Sequence, residues 1–431
     1  MPVVTRPDAP RRAPHPRRKV VGATLAGAVA LALVACSSSG DDASPTAGDA
    51  GGSSGSGSAT SSASDASSTS DPSTTPAEPQ PSSCVQQTAD ALTPTQQAGQ
   101  LLMVALQPGD GERGLDRSVR RHGVGSMLYL GGWEGASTVR SVSDHLQQIA
   151  PRVGGATVGM LVAADQEGGE VQQLTGPGFD AMPSGIEQAG LTSPALRAAA
   201  EGWGDQLRAA GVNVNLSPVA DTVPDDIGTA NDPIGRYGRQ YGSTPASASR
   251  GAVAFAQGMR DARVEPTVKH FPGLGRISGN TDLTAEGITD TVATTDDPHL
   301  TPFADAIDDG ARIVMVGSAR YPRLDPDQPA LFSEAIVTDL LRDRLGFDGV
   351  VVTDDVGAAA AVAAWPVGER ATRFVDAGGD IVLTAQPAQV PTMVSAITRE
   401  AQGDPDFATK VDDAVLRVLT LKEDMGLLRC G

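Results

Sequence analysis

Several things are missing from this chain of 431 residues, and each absence closes a class of function. No Gly-x-x-x-x-Gly-Lys-Ser/Thr loop occurs, and no dinucleotide fingerprint follows a first strand. No cysteine or histidine cluster has metal-ligand spacing, so no metal and no cofactor is expected. A Gly-x-Ser-x-Gly elbow, the mark of a serine triad in an α/β sheet, is also absent. Basic residues are in deficit, 33 against 52 acids, for a formal net charge of −19. Such an acidic surface argues against nucleic acid as a partner, since phosphate contacts depend on clustered Lys and Arg. Tryptophan is limited to Trp133, Trp203 and Trp365, which leaves few stacking platforms.

The basic residues that exist are unevenly placed. Residues 1–35 hold Arg6, Arg11, Arg12, Arg17, Arg18 and Lys19 against the single acid Asp8. Behind them Val20 to Val34 is apolar or small throughout, but shorter than the ~20 residues of a spanning helix. A basic start followed by a short apolar run reads as a signal peptide. Its end, Leu33-Val34-Ala35-Cys36, resembles the bacterial lipobox, in which the cysteine is acylated and becomes the new N-terminus. The expectation is therefore an exported protein held on the outer face of the cell membrane by lipid on Cys36. The other reading is an ordinary signal peptide cleaved after Ala35.

Residues 36–83 are dominated by Ser, Thr, Gly, Ala, Asp and Pro, with no aromatic residue. Such a stretch cannot offset the entropy of ordering and is expected to be a flexible tether. Cys84 opens the folded region and Cys430 is the penultimate residue. In an exported protein these two thiols are expected to pair and pin the ends of the domain together.

Within residues 84–431 the segment Leu92-Thr93-Pro94-Thr95 starts a helix, with Thr93 as N-cap and Pro94 in the first turn. Ala98, Leu101, Leu102, Val104 and Ala105 read as the apolar side of that helix. Apolar runs follow at Val124–Leu130, Thr157–Ala164, Val212–Val219, Val264–Phe271, Arg312–Val316, Val350–Thr353 and Ile381–Thr384, each trailed by a turn and a helical stretch. Near-continuous apolar strands between helices imply a parallel sheet covered on both faces. The fold expected is α/β, a single (β/α)8 TIM-type barrel, with one strand irregular. A doubly wound open sheet fits the same periodicity.

Polar groups collect at the ends of these runs: Asp165-Gln166-Glu167-Gly168-Gly169, Asn215 through Asp221, Lys269-His270, Gly317-Ser318 and Thr353-Asp354-Asp355. Any one of them could be a helix cap. Five in succession at one rim match the way barrel enzymes build their sites.

The most specific string is Val268-Lys269-His270-Phe271-Pro272-Gly273-Leu274-Gly275, continuing to Asn280-Thr281-Asp282. It resembles the Lys-His-Phe-Pro-Gly-x-Gly signature of glycoside hydrolase family 3, in its bacterial β-N-acetylhexosaminidase branch. Asp165-Gln166-Glu167-Gly168-Gly169, Ile234-Gly235 with Arg239-Gln240-Tyr241-Gly242, and Val350–Asp355 resemble three further blocks of that family. The similarity covers about Leu92 to Leu419. It implies that Asp165, Arg239, Lys269 and His270 hold the non-reducing sugar and that Asp354 is the catalytic nucleophile, with Asp355 the competing candidate.

The resemblance breaks at one step. The family branch carries a histidine where Leu274 stands, and an Asp-Ser-His triplet where this chain reads Asn280-Thr281-Asp282; that loop histidine is its acid/base. Of the five histidines, His15, His122, His145 and His299 lie elsewhere and His270 is already assigned. Two readings follow: Asp282 is the acid/base, as a carboxylic acid is in most glycosidases, or the loop is catalytically weak. Glu170 and Gln173 replace arginines frequent in the family. The function expected is removal of terminal β-linked N-acetylglucosamine from cell-wall (peptidoglycan) fragments by a monomeric retaining exo-glycosidase. Another β-exo-glycosidase specificity (glucoside or xyloside), or a non-catalytic glycan-binding lipoprotein, stands beside it.

Overall fold

The computed structural model describes residues 82–430. The leader 1–35, Cys36 and nearly all of the tether lie outside the described residues. The first helices form as the sequence dictates. Pro94–Gln100 has Thr93 as N-cap in a reciprocal capping box with Gln96, and Pro94 in its first turn.

That helix stops at Gln100, and the apolar residues after it are not its buried side, as the sequence reading had them. Leu102–Leu106 is a fully buried strand, β1. The following strands are β2 (Ser126–Tyr129), β3 (Leu161–Ala164), β4 (Val214–Asn215), β5 (Glu265–Pro266 and Val268–Phe271), β6 (Ile313–Val316), β7 (Val350–Thr353) and β8 (Val382–Thr384). β1 supplies the member that the seven apolar runs lacked. Its five buried residues read equally well as a helix face, because periodicity cannot separate a short buried strand from the end of a helix.

All the pairings among these strands are parallel. β1 pairs β2, β2 pairs β3, β3 pairs β4, and β4 pairs the first piece of β5. The second piece of β5 pairs β6, β6 pairs β7, and β7 reaches β8 through the Val352–Ile381 bridge. β8 then pairs β1, so the order of pairing returns to its start. The result is a mixed α/β fold with helices such as Ala136–Ile149, Ser193–Ala209 and Pro245–Asp261 between the strands and Val390–Gly403 after the last. Burial on both faces explains why the strand sequences are mostly apolar.

The ends of the folded region are fastened to each other. Cys84 in the helix Ser83–Ala91 is bonded to Cys430, with Cα atoms 6.0 Å apart, as the sequence reading expected. The short strand Leu428–Arg429, just before Cys430, pairs antiparallel with Ala156–Val158. No helix among the described residues is long and apolar enough to cross a membrane.

Candidate active site

Leaving β5, the chain must turn within a few residues. Gly275 is required there, because a Cβ would lie 1.7 Å from the carbonyl oxygen of Thr222. The turn is held from beneath by two buried polar residues. Asp221 accepts from the Leu274 amide (2.6 Å) and bonds Nδ1 of His270 (2.7 Å). Asn231 donates to the carbonyls of Leu274 and Ile277 (both 2.7 Å). Leu274, where a histidine was anticipated, is buried in this turn with its side chain at the cavity wall.

Beyond the turn, residues 278–288 form a loop that folds back across the strand ends. Its base is closed by the Ser278 and Gly279 amides on the Gly287 carbonyl. Its tip is fastened to the segment after β7: Ala360 N–H donates to the Asp282 carbonyl and Ala361 N–H to that of Thr281 (3.1 and 3.0 Å). Asn280 Oδ1 accepts from the Asp282 amide (3.0 Å), a turn that sets the carboxyl-bearing residue.

All six residues expected to act on a sugar line one cavity of about 500 Å³ at the C-terminal ends of the strands: Asp165, Arg239, Lys269, His270, Asp282 and Asp354. They come from the ends of three strands, β3, β5 and β7, and from two loops. None of the three tryptophans lines it; Tyr237 is its aromatic residue.

The cationic side is a buried network. Lys269 Nζ donates to Asp165 Oδ1 (2.5 Å) and lies 2.6 Å from Glu167 Oε1. Arg239 makes a two-pronged contact with Glu167 (2.8 and 2.7 Å), and its Nη2 lies 3.4 Å from His270 Nε2. Burial by itself would push the Glu167 carboxyl up, but Arg239 and Lys269 together outweigh it and hold it down at about 2. Burial would likewise lower Lys269, and Asp165 and Glu167 reverse that, keeping it charged. Glu167 and Asp221 were absent from the expected site. Glu167 lies two residues from Asp165 in the same polar block, and that was the available signal; the cations it joins are 72 and 102 positions away.

The acidic side separates the two neighbours Asp354 and Asp355. Asp355 accepts backbone N–H bonds from Gly357, Ala358 and Ala385 (2.7, 2.9 and 2.7 Å), so it organises the turn after β7. Burial raises its carboxyl against those three donors. The Asp354 amide donates to the Val316 carbonyl at the end of β6 (2.9 Å), and its Oδ1 accepts only the Asp355 amide (2.8 Å). Its Oδ2 accepts no hydrogen bond among the described residues. Asp282 remains open to the cleft while protein closes round its other sides. Burial first, then the Asp354 charge, lift its carboxyl to about 7, against the pull of Arg239. One cavity thus holds two carboxyls in different states, one anchored on a strand end and one raised to about 7 on a loop, the contrast that a nucleophile and a proton donor require.

Comparison with known proteins agrees with this chemistry. Residues 94–421 match the glycosyl hydrolase family 3 N-terminal domain. The chain belongs to glycoside hydrolase family 3. A curated relative in the family, β-hexosaminidase LpqI of Mycobacterium tuberculosis, is 33% identical over 361 residues, covering 80% of this chain and 87% of that one. A β-hexosaminidase of Xylella fastidiosa is 34% identical over 281 residues, 64% of this chain and 79% of the relative. The crystal structure of a β-N-acetylhexosaminidase from Beutenbergia cavernae superposes with a TM-score of 0.73 at 44% identity, covering 77% of this chain and 99% of that one. This glycoside hydrolase carries no group of three or more His, Cys, Asp or Glu able to hold a metal among the described residues.

Proposed function

We propose that this family 3 enzyme removes terminal β-linked N-acetylglucosamine from cell-wall glycan fragments with retention of configuration. The observation that carries the reading is the pairing in one cavity of a strand-anchored carboxylate, Asp354, with a loop carboxyl lifted to about 7, Asp282. The sugar is gripped on the opposite wall by Asp165, Arg239, Lys269 and His270. Lys269 and Arg239 supply charged donors to hydroxyls, and Asp165 supplies an acceptor. Glu167 binds no sugar in this scheme; it holds the two cations in place.

In the first step the Asp354 carboxylate attacks the anomeric carbon as the glycosidic C–O bond breaks, and the Asp282 proton passes to the departing oxygen. In the second, the Asp282 carboxylate takes a proton from water, the oxygen attacks the same carbon, and Asp354 is released. Asp355 is spent on three backbone amides and serves the geometry of its neighbour. The closed cycle of parallel pairings supports a single eight-stranded barrel as the scaffold. The relatives' names support the 2-acetamido specificity. Leu33-Val34-Ala35-Cys36 supports attachment to the outer face of the membrane by lipid on Cys36.

The test is turnover of aryl β-glycosides bearing N-acetylglucosamine, glucose or xylose, by the wild type and by Asp354→Ala. Hydrolysis of the first substrate alone, abolished in the variant, supports the reading. Preference for glucoside or xyloside replaces the specificity. Sugar binding without turnover of any of the three reassigns the protein as a glycan-binding lipoprotein.

A further inference from the structure

The cleft lies at the C-terminal ends of the strands, and a second concavity of about 630 Å³ lies at the opposite ends. Its wall is built from Thr93, Thr95 and Gln96, which precede β1, from Arg120 and Arg121, which precede β2, and from Arg152 with its neighbours. Three arginines and no carboxylate line it. All three are exposed, and none has an acidic partner among the described residues. The residues from 84 on carry 27 basic against 45 acidic side chains, so an arginine cluster with no acid is at odds with the rest of this surface. Like charges crowd here: burial and then the neighbouring Arg121 and Arg117 hold His122 below its ordinary value.

The place of this concavity in the fold matters as much as its charge. The hairpin that begins at Arg152 packs on the first helix, where a Cβ on Gly154 would stand 3.0 Å from that of Ala91. That helix begins at Ser83, directly after the segment that leads back to Cys36, and carries the disulfide. We infer that the surface of Arg120, Arg121 and Arg152 docks on anionic lipid headgroups, so that the anchored enzyme stands with its catalytic cleft facing away from the membrane. This rests on the lipid anchor at Cys36 proposed above.

Charge complementarity and chain length both favour that occupant. Forty-seven residues separate Cys36 and Cys84, and a Gly- and Ser-rich chain of that length has a root-mean-square reach of roughly 40 Å, enough for the domain to touch the bilayer without being forced to. Contact then depends on the patch, because attraction to a charged leaflet fades within a Debye length of about 8–10 Å. The segment 37–83 is itself acidic, with Asp41, Asp42, Asp49, Asp65, Asp71 and Glu78 and no basic residue. Its charges are dispersed along a Gly- and Ser-rich chain whose ordering costs entropy, so it is the weaker competitor.

The experiment places the acylated full-length protein on vesicles of phosphatidylcholine alone and of phosphatidylcholine with phosphatidylglycerol, and follows hydrogen exchange. The expected result is protection of residues 93–96, 117–123 and 149–153 only on the anionic vesicles, removed by high salt. Replacing the three arginines by Ser should abolish it, leaving hydrolysis of soluble glycosides unchanged. Each arginine is worth about fivefold in the docked-to-free ratio, on the order of a hundredfold for three. Protein that stays on neutral vesicles but gains no protection on anionic ones overturns the docking and leaves the anchor standing. Protein that fails to hold on neutral vesicles overturns both. Equal protection in detergent without vesicles assigns the patch to the acidic tether and overturns the docking.

Discussion

Replacing Asp282 by Asn keeps the shape of the loop tip and deletes the one proton the mechanism needs. A positioned general acid is worth about 10²–10⁴ in rate, so kcat/KM for a substrate with a sugar leaving group should fall by that factor, roughly 3–5 kcal/mol of barrier. The structure also fixes the pH signature. Asp282 is lifted to about 7, and the first step needs it protonated. Activity must therefore be lost as pH rises through that value. The protonated fraction is about one half at pH 7 and about one hundredth at pH 9, so the wild type should lose roughly fiftyfold across that interval. The assay is initial rates from pH 5 to 9 on a disaccharide and on a dinitrophenyl glycoside, whose phenolate departs without a proton. The Asn variant should lack the descending limb and should keep the first step on the dinitrophenyl substrate within about tenfold of wild type. A descending limb that persists in the variant, or equal losses on both substrates, refutes the assignment.

Glu167→Gln leaves Lys269 and Arg239 buried with one fewer counter-charge. The expected cost is about 3–5 kcal/mol and a drop in Tm of roughly 10 °C, read by thermal melting, with KM raised in whatever folds. Because the folded Glu167 sits at about 2, below its unfolded value, its contribution is present above pH ~4.5 and disappears as pH falls towards 2. Lys422 is fully buried against Gln100 Oε1 and the Gly125 carbonyl, and burial drives it down to about 7. The unfolded chain therefore holds a proton that the folded one sheds, and stability should rise from about pH 7 to about 10.5, by up to ~1.4 kcal/mol per unit. Urea midpoints at pH 7 and 9.5 should show that slope in the wild type and its absence in Lys422→Met. Reducing the Cys84–Cys430 bond, which closes a loop 346 residues long, should cost on the order of 5 kcal/mol by chain entropy, checked by denaturant midpoints with and without reductant.

What the sequence disclosed and what it hid follow one physical line. Strands sealed on both faces write themselves as apolar runs, so seven were legible; β1 was not, because five buried residues behind a well-capped helix fit either period. The six cavity residues proposed to act on the sugar were legible because they sit in contiguous motifs at strand ends or in the loops that follow them. Glu167 and Asp221 were not, since their importance lies in partners 72 and 49 positions away, and a carboxylate carries no local mark of the cation it will meet. The choice between Asp354 and Asp355 likewise needed the three amides that converge on Asp355, one of which comes from Ala385, thirty positions on. Asp282 was legible only as a substitution at a motif position. Its raised carboxyl comes from the packing of a loop against a strand end.

The bond between Cys84 and Cys430 makes the catalytic domain a covalent ring rather than a string with two ends. Peeling, in which a terminal helix lifts off and the rest follows, has no free end to begin from. A pull arriving along residues 37–83 meets the ring at a single point and bears at once on the first helix and the last strand. A protease that cuts one loop opens the ring into a line whose pieces remain one molecule. If the enzyme is held outside the cell through Cys36, as proposed above, resistance to traction and to a single nick is thereby written into its topology.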